Sequence, residues 1–272
     1  MTHVHVAVVI GLGEIGVPIL KLLTDAYGDQ VRGRDMEEPE WRFGGIPLRE
    51  PKFRFMHICF PETMNFLNEV AIYMSRYDPD AVIIHSTLSP GMTERISEYL
   101  WDLELLPGIF FSPVRGNITD GMIWGLKTYT KFLAPCSRTG PDMVSMVKEH
   151  LQGAEMRVEV VSDATTLEYA KLLDLAYYGT CIAVFQEIER IVDEKNLQYE
   201  AIKQFIGSTG EESQGKVPRT LYYGGYIGGH CVVPGIEKIL GEHDVPLLKA
   251  VLESNVKRFK ELLFGDSISQ AE

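Results

Sequence analysis

Gly11, Gly13 and Gly16 form a GxGxxG run, GLGEIG, between the apolar β-branched stretch 4–10 and the stretch 17–27, in which Ile19, Leu20, Leu22 and Leu23 supply one helix face. A strand, a glycine turn and a helix in that order can cradle a pyrophosphate. The first glycine permits the tight turn, the second lets the backbone approach the phosphates, and the third lets helix and strand pack closely. The phosphates would lie at the helix N-terminus, with Leu12, Glu14 and Ile15 completing the turn. Asp35 closes the segment VRGRD at the distance where a carboxylate accepts hydrogen bonds from adenosine ribose hydroxyls, which points to NAD. Arg32 and Arg34 keep NADP as the alternative dinucleotide, because a guanidinium can hold a 2′-phosphate. Glycine-rich turns also occur in SAM-dependent methyltransferases, a further alternative on fold analogy alone.

Three more groups could do chemistry. Lys171 falls in a stripe with Leu167, Leu175, Tyr178, Ile182 and Phe185, spaced three and four apart on one helical face. Burial there would disfavour its ammonium and lower its pKa toward that of a general base. Cys231 ends the turn Gly228-Gly229-His230-Cys231, whose small residues would let a substrate reach the sulfur. His230 is its neighbour, but adjacent side chains on an extended backbone diverge. Arg115, between Pro113-Val114 and Gly116, suits a bidentate clamp on a carboxylate or phosphate. Cys59, Cys136 and Cys181 read as core residues, and His57 and His85 as histidines satisfied within the structure.

The elements that must position these groups follow from periodicity. Strand-like runs recur at 55–60, 81–86, 109–111, 129–134 and 157–161, separated by helical stretches at 64–77, 93–100 and 142–151. This alternation predicts an α/β fold, a Rossmann-type doubly wound parallel sheet over residues 1–162, followed by a smaller all-helical domain over 163–272 that binds substrate and dimerises. A long helix to Glu194 opens with a Thr165/Glu168 capping box, residues 207–229 read as a loop, and a closing helix spans 245–264 with Asp244 as N-cap and Pro246 in its first turn.

Composition sets the bounds. The 272 residues, 45% of them apolar, suffice for two domains, and a formal charge of −12 opposes a broad nucleic-acid surface. Four widely separated cysteines with no CxxC pair read as free thiols in a reducing compartment, with no metal site. No basic leader and no apolar run of membrane-spanning length precede the first strand. The expectation is therefore a cytoplasmic protein that binds a small-molecule substrate, engages neither nucleic acid nor membrane, and pairs as a homodimer through its long helix.

Taken in order, GLGEIG, VRGRD, HICFP at 57–61, STLSPGMT at 86–93, AKLLDLAYYG from Ala170 and IGGHCVVP at 227–234 resemble the UDP-glucose/GDP-mannose/UDP-N-acetylmannosamine dehydrogenase family along almost the whole chain. The resemblance implies NAD-dependent oxidation of a sugar hydroxyl through a thiohemiacetal and a thioester on a cysteine. It implies further that Pro61 and Ser86 contact the dinucleotide, Thr87 helps position water, Lys171 is the catalytic lysine, Cys231 is the nucleophile, and Gly229 and His230 flank the substrate. This sequence departs from the family at three positions: Val114 stands for a glutamate, Leu175 for an asparagine and Gly235 for an aspartate. Family chains of roughly 400 residues carry a C-terminal domain for the substrate nucleotide, so the chain reads as a short form. The plan is also similar to the β-hydroxyacid and 6-phosphogluconate dehydrogenases, in which the segment 112–116 would contact substrate, Lys171 would be the acid/base, and an asparagine again stands at the Leu175 position. Two functions follow: a dehydrogenase acting on a nucleotide-sugar-like or hydroxy-acid alcohol by two or four electrons, or a non-catalytic NAD-binding sensor or accessory subunit.

Overall fold

The computed structural model describes residues 5–35, 52–116 and 121–264. Val4, the first residue of the expected opening strand, lies outside them. Contacts divide the chain into two compact units, Met1–Lys171 and Leu172–Glu272.

The first unit is a seven-stranded sheet: β1 (His5–Ile10), β2 (Val31–Arg34), β3 (Phe53–Ile58), β4 (Ala81–Ile84), β5 (Gly108–Phe111), β6 (Lys131–Pro135) and β7 (Val158–Val160). The spatial order is β2-β1-β3-β4-β5-β6-β7. Every pairing is parallel except β5 with β6, where Phe110 faces Pro135 and Phe111 faces Ala134 in antiparallel register. The expected parallel sheet therefore carries one antiparallel join.

Both faces of the sheet are covered, which is why the central strands β1, β4 and β5 are largely apolar rather than alternating. On one face Ala7, Val9, Phe55, Ile83, Phe110 and Leu133 pack with α1 (Gly16–Tyr27) and α5 (Pro141–Gly153). On the other, Val8, Ile10, Met56, Ile58, Val82, Ile84 and Phe111 meet α2 (Phe66–Tyr77) and α3 (Met92–Asp102). Ala164 and Leu167 join this second cluster. They belong to α6 (Ala164–Glu194), so the first turns of that helix pack with the sheet, and the contact boundary falls after Lys171 rather than after residue 162.

The second unit is helical. It holds the rest of α6 with α7 (Tyr199–Glu212), α8 (Val232–Leu240) and α9 (Pro246–Phe264), around a core that includes Leu172, Ala176, Ala183, Ile236, Ile239, Leu248 and Val251.

Several local expectations are corrected. Residues 207–212 are the end of α7, not loop. A Cβ at Gly207 would lie 3.3 Å from Leu221, and one at Gly210 would lie 3.2 Å from the Arg219 nitrogen, so these glycines let the following segment lie against the helix. The capping box at the start of α6 does not form. Asp163 accepts from the Thr166 amide at 2.7 Å, and Glu168 reaches a different helix. Asp244 does not cap α9 either: it pairs with Lys249 at 2.6 Å, and the Val245 carbonyl accepts the first helical amide bonds. Four elements, β2, α4 (Met122–Thr128), α7 and α8, have no counterpart in the periodicity reading.

Candidate functional site

The glycine turn meets its physical requirements one residue at a time. Gly11 has φ +88°, and a Cβ there would lie 2.8 Å from the Phe60 nitrogen, so only glycine closes this turn beside the end of β3. A Cβ at Gly16 would collide with the Gly11 carbonyl. At Gly13, by contrast, a Cβ would meet no atom within 4 Å. Two glycines are thus required by packing, while the third faces open space where a phosphate can approach the backbone.

This turn sits at the switch point of the sheet, because the chain leaves β1 for β2 on one side and resumes at β3 on the other. Leu12 and Ile15 are half-buried and Glu14 is exposed. Ile15 occupies the N-cap position of α1 and offers no side-chain cap, and no acid stands in the first turn, so the positive end of the helix is left for an anion. Asp35 follows β2 directly, next to Gly11, whose amide donates to the Arg34 carbonyl at 2.9 Å. Arg32 turns back on the Asp29 carbonyl at 2.5 Å.

The loops after β3 and β4 are tied together. The Ser86 hydroxyl donates to the Phe60 carbonyl at 2.6 Å, and the Ser89 amide donates to Glu62 at 2.6 Å. Pro61 between them is exposed and Thr87 is half-buried. At the far end of the same segment, buried Glu168 of α6 accepts from the amides of Gly91 and Thr93 at 2.6 and 2.8 Å and from the Thr93 hydroxyl.

The loop after β5 is tied to β6. The Ser112 hydroxyl donates to the Phe132 carbonyl at 2.8 Å, and Lys131 donates to the carbonyls of Ser112 and Pro113 at 2.5 and 3.1 Å. Arg115 is exposed, donates to the Thr130 carbonyl at 2.8 Å, and lies 4.9 Å from the centre of the Phe132 ring. Its guanidinium is therefore anchored on β6. Gly116 is exposed and lets the backbone pass close to α4, where a Cβ on Gly125 would lie 3.0 Å from the Gly116 Cα.

Lys131 was not picked out by the sequence reading, because it stands at a strand start like any surface lysine. It is 3% exposed, and burial pushes its pKa down to about 7. Beside it runs a chain of buried histidines: His150 Nε2 meets His57 Nε2 at 3.0 Å, His57 Nδ1 meets His85 Nε2 at 2.9 Å, and His85 Nδ1 meets the Ser112 carbonyl at 2.9 Å. A carbonyl only accepts, so His85 carries its proton on Nδ1, His57 on Nδ1 and His150 on Nε2. One arrangement satisfies all three rings in neutral form. Burial accordingly holds all three below the usual histidine range, His150 at about 3. His57 and His85 are the structural histidines expected.

Lys171 is half-buried at the end of the part of α6 that packs with the sheet. In its stripe Leu167, Leu175 and Phe185 are buried, whereas Tyr178 is 48% exposed.

In the second unit Cys231 is exposed at the N-cap position of α8, preceded by exposed Gly229 and His230. Buried Asn255 of α9 holds this segment by accepting from the Ile227 amide at 2.7 Å and donating to its carbonyl at 3.1 Å. Leu175 and Gly235 are neighbours: a Cβ on Gly235 would lie 3.0 Å from a Leu175 methyl. Cys59 and Cys136 are buried as expected, but Cys181 is half-buried and lines a groove of about 260 Å³ with Tyr177, Phe185, Ile206, Arg219 and Tyr222. Among the described residues no group of three or more His, Cys, Asp or Glu is placed to hold a metal, and no helix is long and apolar enough to cross a membrane.

This architecture recurs in solved dehydrogenases. A UDP-D-ManNAc dehydrogenase from Pyrococcus horikoshii superposes with a TM-score of 0.75 at 19% identity, covering 97% of this chain and 72% of that one. A UDP-glucose dehydrogenase from Pyrobaculum islandicum gives 0.72 at 15%, covering 98% and 72%. The 3-hydroxyisobutyrate dehydrogenase of Mycobacterium tuberculosis, solved with L-serine, gives 0.67 at 14%, covering 94% of each chain. These likenesses establish the fold, a Rossmann-type sheet followed by a helical region. No protein-family model and no curated sequence matches the chain.

Proposed function

We propose that this chain is an NAD-dependent oxidoreductase that removes hydride from an alcohol carbon of a nucleotide-sugar-like or hydroxy-acid substrate. The observation that carries the reading is the contrast within the glycine turn: Gly11 and Gly16 are sterically required while Gly13 is open, at the switch point of the sheet and before an uncapped helix. Asp35 beside that turn, with Arg32 directed to the Asp29 carbonyl, favours NAD over NADP. A bound NAD supplies the hydride acceptor.

The chain's own residues supply the rest. Lys171 in its neutral form takes the hydroxyl proton as the carbonyl forms, so that an alcohol and NAD give an aldehyde or ketone, NADH and a protonated lysine. Thr87 and Arg115 orient substrate or water. Cys231 is the group that would capture an aldehyde. Apolar Leu175 packed on Gly235 leaves no polar side chain at two positions where the family resemblance has an asparagine and an aspartate, which favours release after two electrons.

The test is NADH absorbance across a panel of nucleotide sugars and hydroxy acids, with NAD and NADP affinities from calorimetry. Turnover that disappears in Lys171→Met while NAD affinity holds supports the reading, and absence of affinity for either dinucleotide refutes it. The second reading, a non-catalytic NAD-binding sensor or accessory subunit, draws on the same three departures at Val114, Leu175 and Gly235. NAD affinity without turnover on any substrate selects it. An adduct seen by intact mass spectrometry and absent in Cys231→Ser tests capture separately.

We further propose self-association as a homodimer. Leu173, Tyr177, Val184 and Ile191 recur along one stripe of α6 and are each at least 50% exposed, a seam suited to a second copy. Light scattering that shows a dimer in the native chain and a monomer in Val184→Glu supports it; a native monomer refutes it.

A further inference from the structure

The Glu168 carboxylate joins two elements that each carry a candidate site group. It is fully buried on the second turn of α6 and takes three hydrogen bonds from Gly91 and Thr93 at the N-terminus of α3. Gly91 is the N-cap residue of α3 and has no side chain to cap with, so that helix receives its cap from a residue 75 positions away from Thr93. Burial raises the pKa of this carboxyl while the three donors oppose the rise. Such a group is stable only while all its donors stay in place.

Lys171 follows Glu168 by three residues, one helical turn along the same side of α6. The Ser86–Thr93 segment, which carries Thr87, ends at the donors that Glu168 holds. We propose that Glu168 is a positioning residue, a buried clamp that sets Lys171 in register with the loop bearing Ser86 and Thr87. The inference rests on the proposed role of Lys171 as acid/base. Gly91 has φ +73°, where a residue with a side chain would be strained, so position 91 cannot readily supply its own cap and the cap comes from α6.

The experiment compares Glu168→Gln, Thr93→Val and the double variant. Glutamine keeps the volume but places an amide N–H₂ against one of the amide donors. The expected result is a fall in kcat of about tenfold or more in Glu168→Gln, with the KM for NAD within about twofold of the native value, because the lysine is misplaced while the glycine turn is untouched. Thr93→Val should lower kcat less, and the double variant should be no slower than Glu168→Gln, since both changes break one linkage. A native kcat in Glu168→Gln with only a lowered Tm overturns the proposal and leaves a simple helix cap. Should Glu168→Gln not fold, Thr93→Val carries the same split between kcat and KM. Should the native chain show no turnover, the dehydrogenase reading has failed, and the clamp is then judged by amine acylation mapped by mass spectrometry. A change in Lys171 labelling of about threefold or more, relative to exposed Lys257, supports the clamp, and an unchanged ratio overturns it.

Discussion

Replacing Lys131 by methionine should remove a rise in stability with pH that the native chain shows between about pH 7 and 10.5. The native lysine is 3% exposed, and its pKa falls from 10.5 to about 7 because burial penalises the ammonium more than any neighbouring charge favours it. In the unfolded chain the same group titrates near 10.5. Between those values the unfolded state binds one proton more than the native state, so stability increases with pH across this window. Below about pH 7 the penalty is constant, and above about 10.5 it is absent. Each pH unit inside the window is worth about 1.4 kcal/mol, and the whole depression sets a ceiling of roughly 5 kcal/mol. Relaxation and water entry lower that ceiling.

Methionine keeps most of the volume and forfeits the bonds to the Ser112 and Pro113 carbonyls, while His85 still donates to Ser112. The assay is Tm by calorimetry at pH 7, 8 and 9 for both chains, read as the difference between them so that other titrations cancel. The native chain should gain about 2 °C per pH unit over Lys131→Met. Parallel Tm curves would refute the reasoning. They would mean that the two carbonyls hold the ammonium in its charged form and that burial does not decide the protonation state.

Three other outcomes follow. Gly13→Ala should fold with a native Tm yet lose NAD affinity by about 100-fold or more, because its Cβ meets no protein atom and instead occupies the phosphate approach, whereas Gly16→Ala should also lower Tm through its collision with Gly11; calorimetric titration and thermal unfolding separate the two. Asp35→Ala should weaken NAD by roughly 10- to 100-fold and NADP by less, an expectation that equal losses in competitive titrations would contradict. His150→Phe should shift acid unfolding to lower pH: the native rings stay neutral while the unfolded ones protonate near 6.5, so each histidine costs stability as pH falls from about 6.5 toward its depressed value, and circular dichroism against pH would show the midpoint move.

What the sequence makes legible here depends on how far each constraint reaches along the chain. The glycine turn is readable because its three glycines and the strand and helix that flank them are contiguous, and the central strands are readable because burial on both faces makes them largely apolar, whereas β2, VRGR, carries no such signal. Glu168 is misread as a cap for its own helix because its true donors stand 75 and 77 residues upstream. Gly207 and Gly210 mimic a loop because their reason for being glycine is the later segment that lies on α7. Lys131 shows no sign of burial in its own neighbourhood; the antiparallel join of β5 to β6 and the three histidines create its environment. In each case the missed signal is a partner distant in sequence.

The same distinction bears on whether the departures at Leu175 and Gly235 are decay or remodelling. A chain released from selection for turnover would lose polar site residues singly and leave voids or unpaired groups behind. Here the larger side chain and the missing one stand against each other: Gly235 is buried, and a Cβ there would press on Leu175, so leucine occupies the space that a residue at 235 would otherwise use. Cores tolerate such paired size changes when total volume is kept, and a leucine facing an aspartate would not be neutral. The two departures therefore act as one matched substitution within the helical unit, while the steric requirements of the glycine turn are all still met within the sheet unit. A matched pair of this kind supports the proposed dehydrogenase reading over the proposed non-catalytic one.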